Sequence, residues 1–185
     1  GVELSYENAA EWYLKAAEQG LAVAQYNLGV MYDNGTGVER SYEKAAEWFL
    51  KAAEQGLAMA QFKLGGMYEN GTGVERSYEK AAKWYHKAAK QGDARTQCNL
   101  GTMYEFGRSI GRSYKKAAKR YKKVAEREFA RTSYHLGFMY QNGTGVEQSY
   151  EKAAEWYLKA AEQGLADAQY NLGVMYENGT GVEQS

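Results

Sequence analysis

The sequence predicts an all-α repeat protein built from 36-residue helix-turn-helix units, and three observations carry that prediction. Ser-Tyr recurs at Ser5-Tyr6, Ser41-Tyr42, Ser77-Tyr78, Ser113-Tyr114 and Ser149-Tyr150, always 36 residues apart, and a fixed period of this size marks stacked supersecondary units. Within each unit the apolar residues follow helical spacing. The second apolar run of the first unit stops at Asn34-Gly35-Thr36-Gly37, where two glycines allow left-handed backbone. Leu-Gly recurs in the same register, from Leu28-Gly29 to Leu172-Gly173, with no insertion anywhere.

The first element of a unit follows from Tyr6, Ala9, Ala10, Tyr13, Ala16 and Ala17, an i, i+3, i+4, i+7 stripe that predicts helix A over about residues 5–19. Ser5 is placed to cap it, Glu7 and Glu11 sit where the helix dipole favours a carboxylate, and Gly20 provides the permissive backbone of a C-terminal cap. The second stripe, Leu21, Ala24, Leu28, Met31 and Tyr32, predicts helix B over about residues 22–33. Small residues at Ala9, Ala10, Ala17, Ala24 and Gly29 point to close approach of the helices. One such pair cannot hide its apolar stripes alone, so neighbouring units must stack. The expected organisation is one solenoid over residues 1–185, with units at 1–36, 37–72, 73–108, 109–144 and 145–180 and the start of a sixth at 181–185.

The phrase KAAEWYLKAAEQGLADAQYNLGVMYENGTGV at Lys152 to Val182, with its earlier copies, resembles the Sel-1-like repeat family, relatives of the tetratricopeptide repeats. The 36-residue spacing favours this family over ordinary tetratricopeptide repeats, whose period is 34. The resemblance implies a right-handed α-solenoid of stacked antiparallel helix pairs, with a concave side lined mainly by A helices and used for adaptor functions. Many relatives carry a proline after the Gly-x-Gly-Val turn, and this chain has none. The shared residues explain the fold and do not specify a partner.

Divergence between units is where specific function should be written. Units one and five differ at only four positions, Leu4/Gln148, Asn8/Lys152, Val23/Asp167 and Asp33/Glu177, whereas units three and four diverge far more. The chain has 23 basic and 23 acidic residues, but residues 109–144 hold nine basic against two acidic side chains, and both ends are acidic. Mapping the family's concave positions onto helix A selects Arg76, Glu79, Lys83, His86 and Lys87 in unit three and Arg112, Lys115, Lys119, Lys122 and Lys123 in unit four. Arg76, Lys83, His86, Lys87, Arg112, Lys115, Lys119, Lys122 and Lys123 are the candidate partner-binding residues. The same places in unit five hold Gln148, Glu151, Glu155, Leu158 and Lys159, so a groove there changes sign.

This patch opposes helix stability locally: Lys115 with Lys119, Lys119 with Lys123 and Lys116 with Arg120 are like-charge i, i+4 pairs, each costing roughly 0.2–0.5 kcal/mol. The acidic units instead offer Glu11-Lys15, Glu47-Lys51 and Glu155-Lys159. Arg120 also replaces the tryptophan of Trp12, Trp48, Trp84 and Trp156; on a buried site that loss costs on the order of 3 kcal/mol.

Other residue patterns have structural explanations. The Asn-Gly-Thr-Gly-Val loop lacks the Gly-Lys-Ser/Thr of a phosphate-binding loop, and its Asn-x-Thr acceptors at Asn34, Asn70, Asn142 and Asn178 matter only in a secretory compartment. His86, Cys98 and His135 have no metal-ligand spacing, and Cys98 stands where other units have Tyr26, Phe62, Tyr134 and Tyr170, a small residue beside a packing defect. Glu7 and Glu11 recur for helix-dipole reasons, and no nucleophile, base and orienter form a set. The paired cysteines of the family's cysteine-rich members are absent. The aromatic stripe of Trp12, Tyr13, Tyr26 and Tyr32 belongs mostly to the core, and acidic flanks disfavour a nucleic-acid polyanion.

The expected function is therefore a non-catalytic protein-protein interaction scaffold or adaptor, without cofactor or metal, whose basic A-helix surface meets an acidic protein or peptide. The alternative is a structural spacer or self-assembly module, including a homo-oligomer in which acidic ends meet basic centres. No apolar run is long enough to span a bilayer. A single cysteine slightly favours the cytoplasm and leaves a secretory or periplasmic setting open.

Overall fold

The computed structural model describes residues 5–92, 94–108, 112–125 and 130–182. The expected first residues of unit one and the last of the partial sixth unit lie outside these. The described residues form ten helices: α1 Tyr6–Glu18, α2 Ala22–Asn34, α3 Tyr42–Glu54, α4 Ala58–Asn70, α5 Tyr78–Lys90, α6 Ala94–Phe106, α7 Tyr114–Ala125, α8 Ala130–Asn142, α9 Tyr150–Glu162 and α10 Ala166–Asn178. Odd-numbered helices are the A helices and even-numbered ones the B helices of the expected pairs. The fold is thus an α-solenoid of helix pairs.

Local sequence sets the helix ends. Ser5, Ser41, Ser77, Ser113 and Ser149 each accept a hydrogen bond through Oγ from the backbone N–H three residues on, satisfying one of the donors that every helix start leaves open. The helices α1, α3, α5 and α9 each end at a glycine in left-handed conformation; Gly20 has φ +93°. At the end of α2, Gly35 (φ +71°) donates its N–H to the Met31 carbonyl at 2.8 Å, the αL cap that the Asn-Gly pair favours. Gly37 then lies against the carbonyl of Tyr6, so the turn folds back onto the first residue of the preceding A helix and any side chain there would collide.

The chain divides into two compact units, Gly1–Thr96 and Gln97–Ser185. In the first, the core gathers Ala45, Ala46, Phe49, Ala52, Ala53, Ala60, Leu64 and Met67 between α3 and α4, with Trp84 and Tyr26 partly buried against it. In the second, Tyr121, Leu136, Met139, Tyr157 and the alanines of α7 and α9 form one continuous core. Burying each large side chain stabilises by about 1.5–3 kcal/mol.

Each unit repeats one packing device, in which the aromatic residue of an A helix presses on the glycine of the preceding B helix. A Cβ at Gly29 would lie 2.8 Å from the Phe49 ring, and one at Gly65 would lie 2.6 Å from that of Tyr85. Tyr121 covers Gly101 and Tyr157 covers Gly137 in the same way. Alanines on the A helix and glycine on the B helix let the backbones approach, and the ring fills the gap that remains.

The phenol oxygens extend this device into a polar rung. Tyr85 donates to Glu69 at 2.9 Å, Tyr121 to Glu105 at 2.7 Å and Tyr157 to Gln141 at 2.7 Å. Phe49 has no hydroxyl to offer, and the residue in that place on α2, Asp33, pairs with Lys63 at 3.3 Å.

Two sequence expectations change here. The tryptophan position is a surface site: Trp48, Trp84 and Trp156 are half-buried and Trp12 is 68% exposed, so arginine at position 120 does not carry the cost of an emptied core. In addition, Lys15, Lys51 and Lys159 lie 4.1–4.2 Å above the rings of Trp12, Trp48 and Trp156. The indole face is their partner, in place of the carboxylate that i, i+4 spacing suggested.

Candidate functional site

On α5, Ala81, Ala82, Tyr85, Ala88 and Ala89 are buried, which turns the intervening lysines outward. An open pocket of 410 Å³ lies along this outer row, lined by Lys80, Lys83, Trp84, His86, Lys87 and Lys90. Lys87 lies 4.2 Å over the Trp84 ring, and Lys83 pairs with Glu79 at 2.6 Å with both side chains 70% exposed. The hydrogen bond from Lys83 holds the Glu79 carboxyl below its usual range.

In the second unit, α7 buries Ala117, Ala118, Tyr121, Val124 and Ala125 and exposes the opposite face. A pocket of 370 Å³ is lined there by Tyr104 of α6 and by Lys116, Lys119, Arg120 and Lys123 of α7. Lys116 lies 5.3 Å over the Tyr104 ring. Half-buried Arg120 donates through Nη1 to Gln97 Oε1 at 2.7 Å, which fixes the guanidinium. The two pockets occupy the same register on successive A helices, with Lys80, Lys83, Trp84 and Lys87 corresponding to Lys116, Lys119, Arg120 and Lys123.

Of the nine residues singled out from sequence, eight are exposed and His86 is half-buried. Lys83, His86 and Lys87 line the α5 pocket, and Lys119 and Lys123 line the α7 pocket. Arg76 instead lies 5.7 Å over the Tyr78 ring and Lys122 lies 5.3 Å over Tyr140. Lys115 and Arg112 are exposed and line neither pocket. Sequence reasoning missed Lys80 and Lys116, although their signal was present: the eighth place of units two to five is lysine at 44, 80, 116 and 152, and each lies 5.2–5.6 Å over the tyrosine that ends the preceding B helix.

A second group of polar side chains in the second unit was not expected as a cluster. Glu105 Oε2 accepts from Tyr121 and lies 3.2 Å from His135 Nδ1. The His135 ring stacks on Tyr121 with centroids 5.2 Å apart. Burial pushes the Glu105 carboxyl up, yet the hydrogen bonds from His135 and Tyr121 outweigh it and the net shift is downward. Cys98 accepts from Thr132 Oγ1 at 3.2 Å, and burial raises its thiol, the reverse of the electropositive setting that makes a reactive thiolate. Among the described residues, no three His, Cys, Asp or Glu side chains gather so as to hold a metal ion, and no helix is long and apolar enough to cross a membrane.

The Sel1 repeat model matches residues 1–21, 22–57, 58–93, 94–128, 131–165 and 166–185. This chain belongs to the Sel1 repeat family. Its frame opens at the B helix, which turns five helix pairs into six matches with two partial ends. Sel1 repeats act generally in protein-protein interaction, and the scaffold is generally non-catalytic.

Among solved structures, the chain is similar to a protective antigen of uropathogenic Escherichia coli strains that displays an SLR fold. There the identity is 41% and the TM-score 0.91, over 95% of this chain and 38% of that one. A Sel1 repeat protein from Oxalobacter formigenes is 37% identical with a TM-score of 0.90, over 97% of this chain and 74% of that one. An immunity protein from Pseudomonas aeruginosa shares the fold at 24% identity and a TM-score of 0.55, over 95% of this chain and 65% of that one. The chain thus spans less than two fifths of the length of the antigen. No curated protein matches it.

Proposed function

We propose that this Sel1 repeat chain is a protein-binding scaffold in which the lysines and arginines of α5, and separately those of α7, meet acidic residues of a partner protein. The observation that carries this reading is the pair of open basic pockets at one register on two A helices. Both are lined by lysines beside an aromatic ring, a surface that offers apolar contact and charge together. Exposed cations of this kind act chiefly on association rate and partner choice. Acidic residues hold the equivalent places elsewhere, at Glu11, Glu47 and Glu155, so the charge reversal sets α5 and α7 apart from the other A helices.

The test is to replace Lys115, Lys119, Lys122 and Lys123 together by Glu and to compare affinity capture with the parent chain. All four are exposed, and helicity and the unfolding midpoint of the variant establish that the fold persists. Loss of acidic partners is the expected result. An unchanged set of captured proteins would remove this surface as the site.

A further inference from the structure

The α7 pocket differs from its counterparts in a way that specifies the anion it takes. In four of the five helix pairs, the lysine at the fifteenth place lies over the tryptophan at the twelfth, at 4.1–4.2 Å. A carboxylate holds the eleventh place in three of them, at Glu11, Glu47 and Glu155. On α5 the eleventh place is already basic, but Lys83 is answered by Glu79 one turn earlier at 2.6 Å.

On α7 every one of these balancing groups is replaced by a cation. Lys119 stands at the place of the carboxylate, Lys115 at the place of Glu79, and Arg120 at the place of the ring over which the other lysines lie. The pocket of 370 Å³ therefore has four cationic side chains, Lys116, Lys119, Arg120 and Lys123, around the Tyr104 ring, and none of its lining residues is acidic. Arg120 is not a loose surface charge, since Gln97 accepts one of its N–H groups at 2.7 Å and leaves the remaining donors of a fixed planar fork.

A single carboxylate brings one charge and two oxygens to such a site. A phosphoryl group brings close to two charges and three strong acceptor oxygens at neutral pH, and arginine reads its geometry bidentately. We infer that the α7 pocket binds the phosphoryl dianion of a phosphorylated side chain in the partner protein. This rests on the protein-binding reading above and sharpens it: α5 accepts acidic side chains in general, and α7 selects phosphate. A nucleic acid would present a run of phosphates, whereas the cations here converge on one pocket and the first and last helix pairs are acidic, which repels a long polyanion.

The test is a titration followed by backbone and arginine side-chain NMR, using the intact chain and four probes. These are a short neutral peptide with one phosphoserine, the same peptide with glutamate in that place, inorganic sulfate, and a short single-stranded oligonucleotide. The phosphoserine peptide should shift Tyr104, the α7 amides and Arg120, and should bind roughly tenfold more tightly at pH 7.5 than at pH 5, because the second phosphate ionisation lies near 6. Sulfate, which has no proton to lose in this range, should bind with flat pH dependence and so separates phosphate ionisation from any titration of the protein. The glutamate peptide should bind at least about tenfold more weakly than the phosphopeptide at pH 7.5, the equivalent of about 1.4 kcal/mol.

Arg120→Trp restores the residue found on the other A helices and should abolish the preference while keeping the fold. Equal binding of the two peptides, unaffected by Arg120→Trp, would overturn the phosphoryl assignment and leave the acidic-partner reading standing. Silence of α7 towards both peptides would overturn the phosphoryl assignment together with the acidic-partner reading of α7. Tighter binding of the oligonucleotide at α7 would assign the pocket to nucleic acid and overturn the inference.

Discussion

Replacing Gly65 by alanine tests the packing device on which the stack depends. A Cβ at this position would lie 2.6 Å from both Cδ1 and Cε1 of Tyr85 and 3.2 Å from Cγ. These are ring atoms of a side chain that is only 1% exposed, and the far end of the ring is tethered by the 2.9 Å bond from its hydroxyl to Glu69. The ring cannot swing away without giving up that bond, so the backbones of α4 and α5 must part. Overpacking of this kind costs typically about 1–3 kcal/mol. Against it stands the helix propensity of alanine, which favours the variant by about 0.8–1 kcal/mol.

Gly173 isolates the two terms, because it holds the same place on α10 and a Cβ there meets nothing within 4 Å. Gly173→Ala should raise stability by up to about 1 kcal/mol, and Gly65→Ala should fall below it by about 1–3 kcal/mol. Urea unfolding followed by circular dichroism gives both numbers, compared at equal m-value so that midpoint shifts report stability. Equal shifts for the two variants would refute the claim that the ring and the glycine are mutually fitted.

Further outcomes follow from the second unit. Because the Glu105 carboxyl is held below its ordinary value by His135 and Tyr121, its ionised form contributes stability above the unfolded carboxylate range, and that contribution is lost as pH falls through the folded value. The urea midpoint of the parent should therefore drop more steeply between pH 5 and pH 3 than that of Glu105→Gln, which retains an acceptor for Tyr121 just as Gln141 serves Tyr157; parallel profiles would contradict the assignment. Ser133 Oγ is buried and has no hydrogen-bond partner among the described residues, so Ser133→Ala should be neutral or stabilising by up to about 1 kcal/mol. A loss of more than about 1 kcal/mol in the same unfolding experiment would mean that the hydroxyl is satisfied.

The architecture was legible because it is periodic. Ser5 and its copies cap as expected, the helix bounds agree to within a residue, and Tyr13's equivalents Phe49, Tyr85, Tyr121 and Tyr157 form the core. The lysine-tryptophan pairs were less legible because two partners compete for one ammonium on the same face: Glu11 one turn before Lys15, and Trp12 three residues before it. A cation over an exposed ring is worth about 0.5–1 kcal/mol, against about 0.3–0.5 for an exposed i, i+4 ion pair, so the ring wins. The α7 pocket was read in part. Lys119 and Lys123 were found by register, but Tyr104 and the Arg120–Gln97 bond depend on α6 and α7 meeting side by side, which one helix's spacing does not encode. The Glu105–Tyr121–His135 group was missed for the same reason, since its members come from three helices and are 14 to 30 residues apart.

That group also shows why the divergence of the third and fourth pairs is not uniform drift. In three places an aromatic residue of a B helix packs on the aromatic of the next A helix: Tyr26 on Phe49 at 5.6 Å, Phe62 on Tyr85 at 5.9 Å, and Tyr134 on Tyr157 at 5.7 Å. At Cys98 that ring is missing, and Tyr121 is stacked by His135 instead. The same histidine reaches Glu105 as Lys63 reaches Asp33 in the first unit, so one substitution supplies both a ring and a hydrogen-bond partner. Inside the unit a departure is answered by another departure, whereas on the α7 surface the cations accumulate without an answering acid in their pocket. A double-mutant cycle measures the buried half of this contrast. His135→Asn, which installs the residue of Asn27, Asn99 and Asn171, should be costly alone and cheaper when Cys98→Tyr returns the missing ring, with a coupling of about 0.5–3 kcal/mol. Additivity within about 0.3–0.5 kcal/mol would mean that cysteine and histidine changed independently, and the distinction between a compensated interior and an uncompensated surface would lose its support.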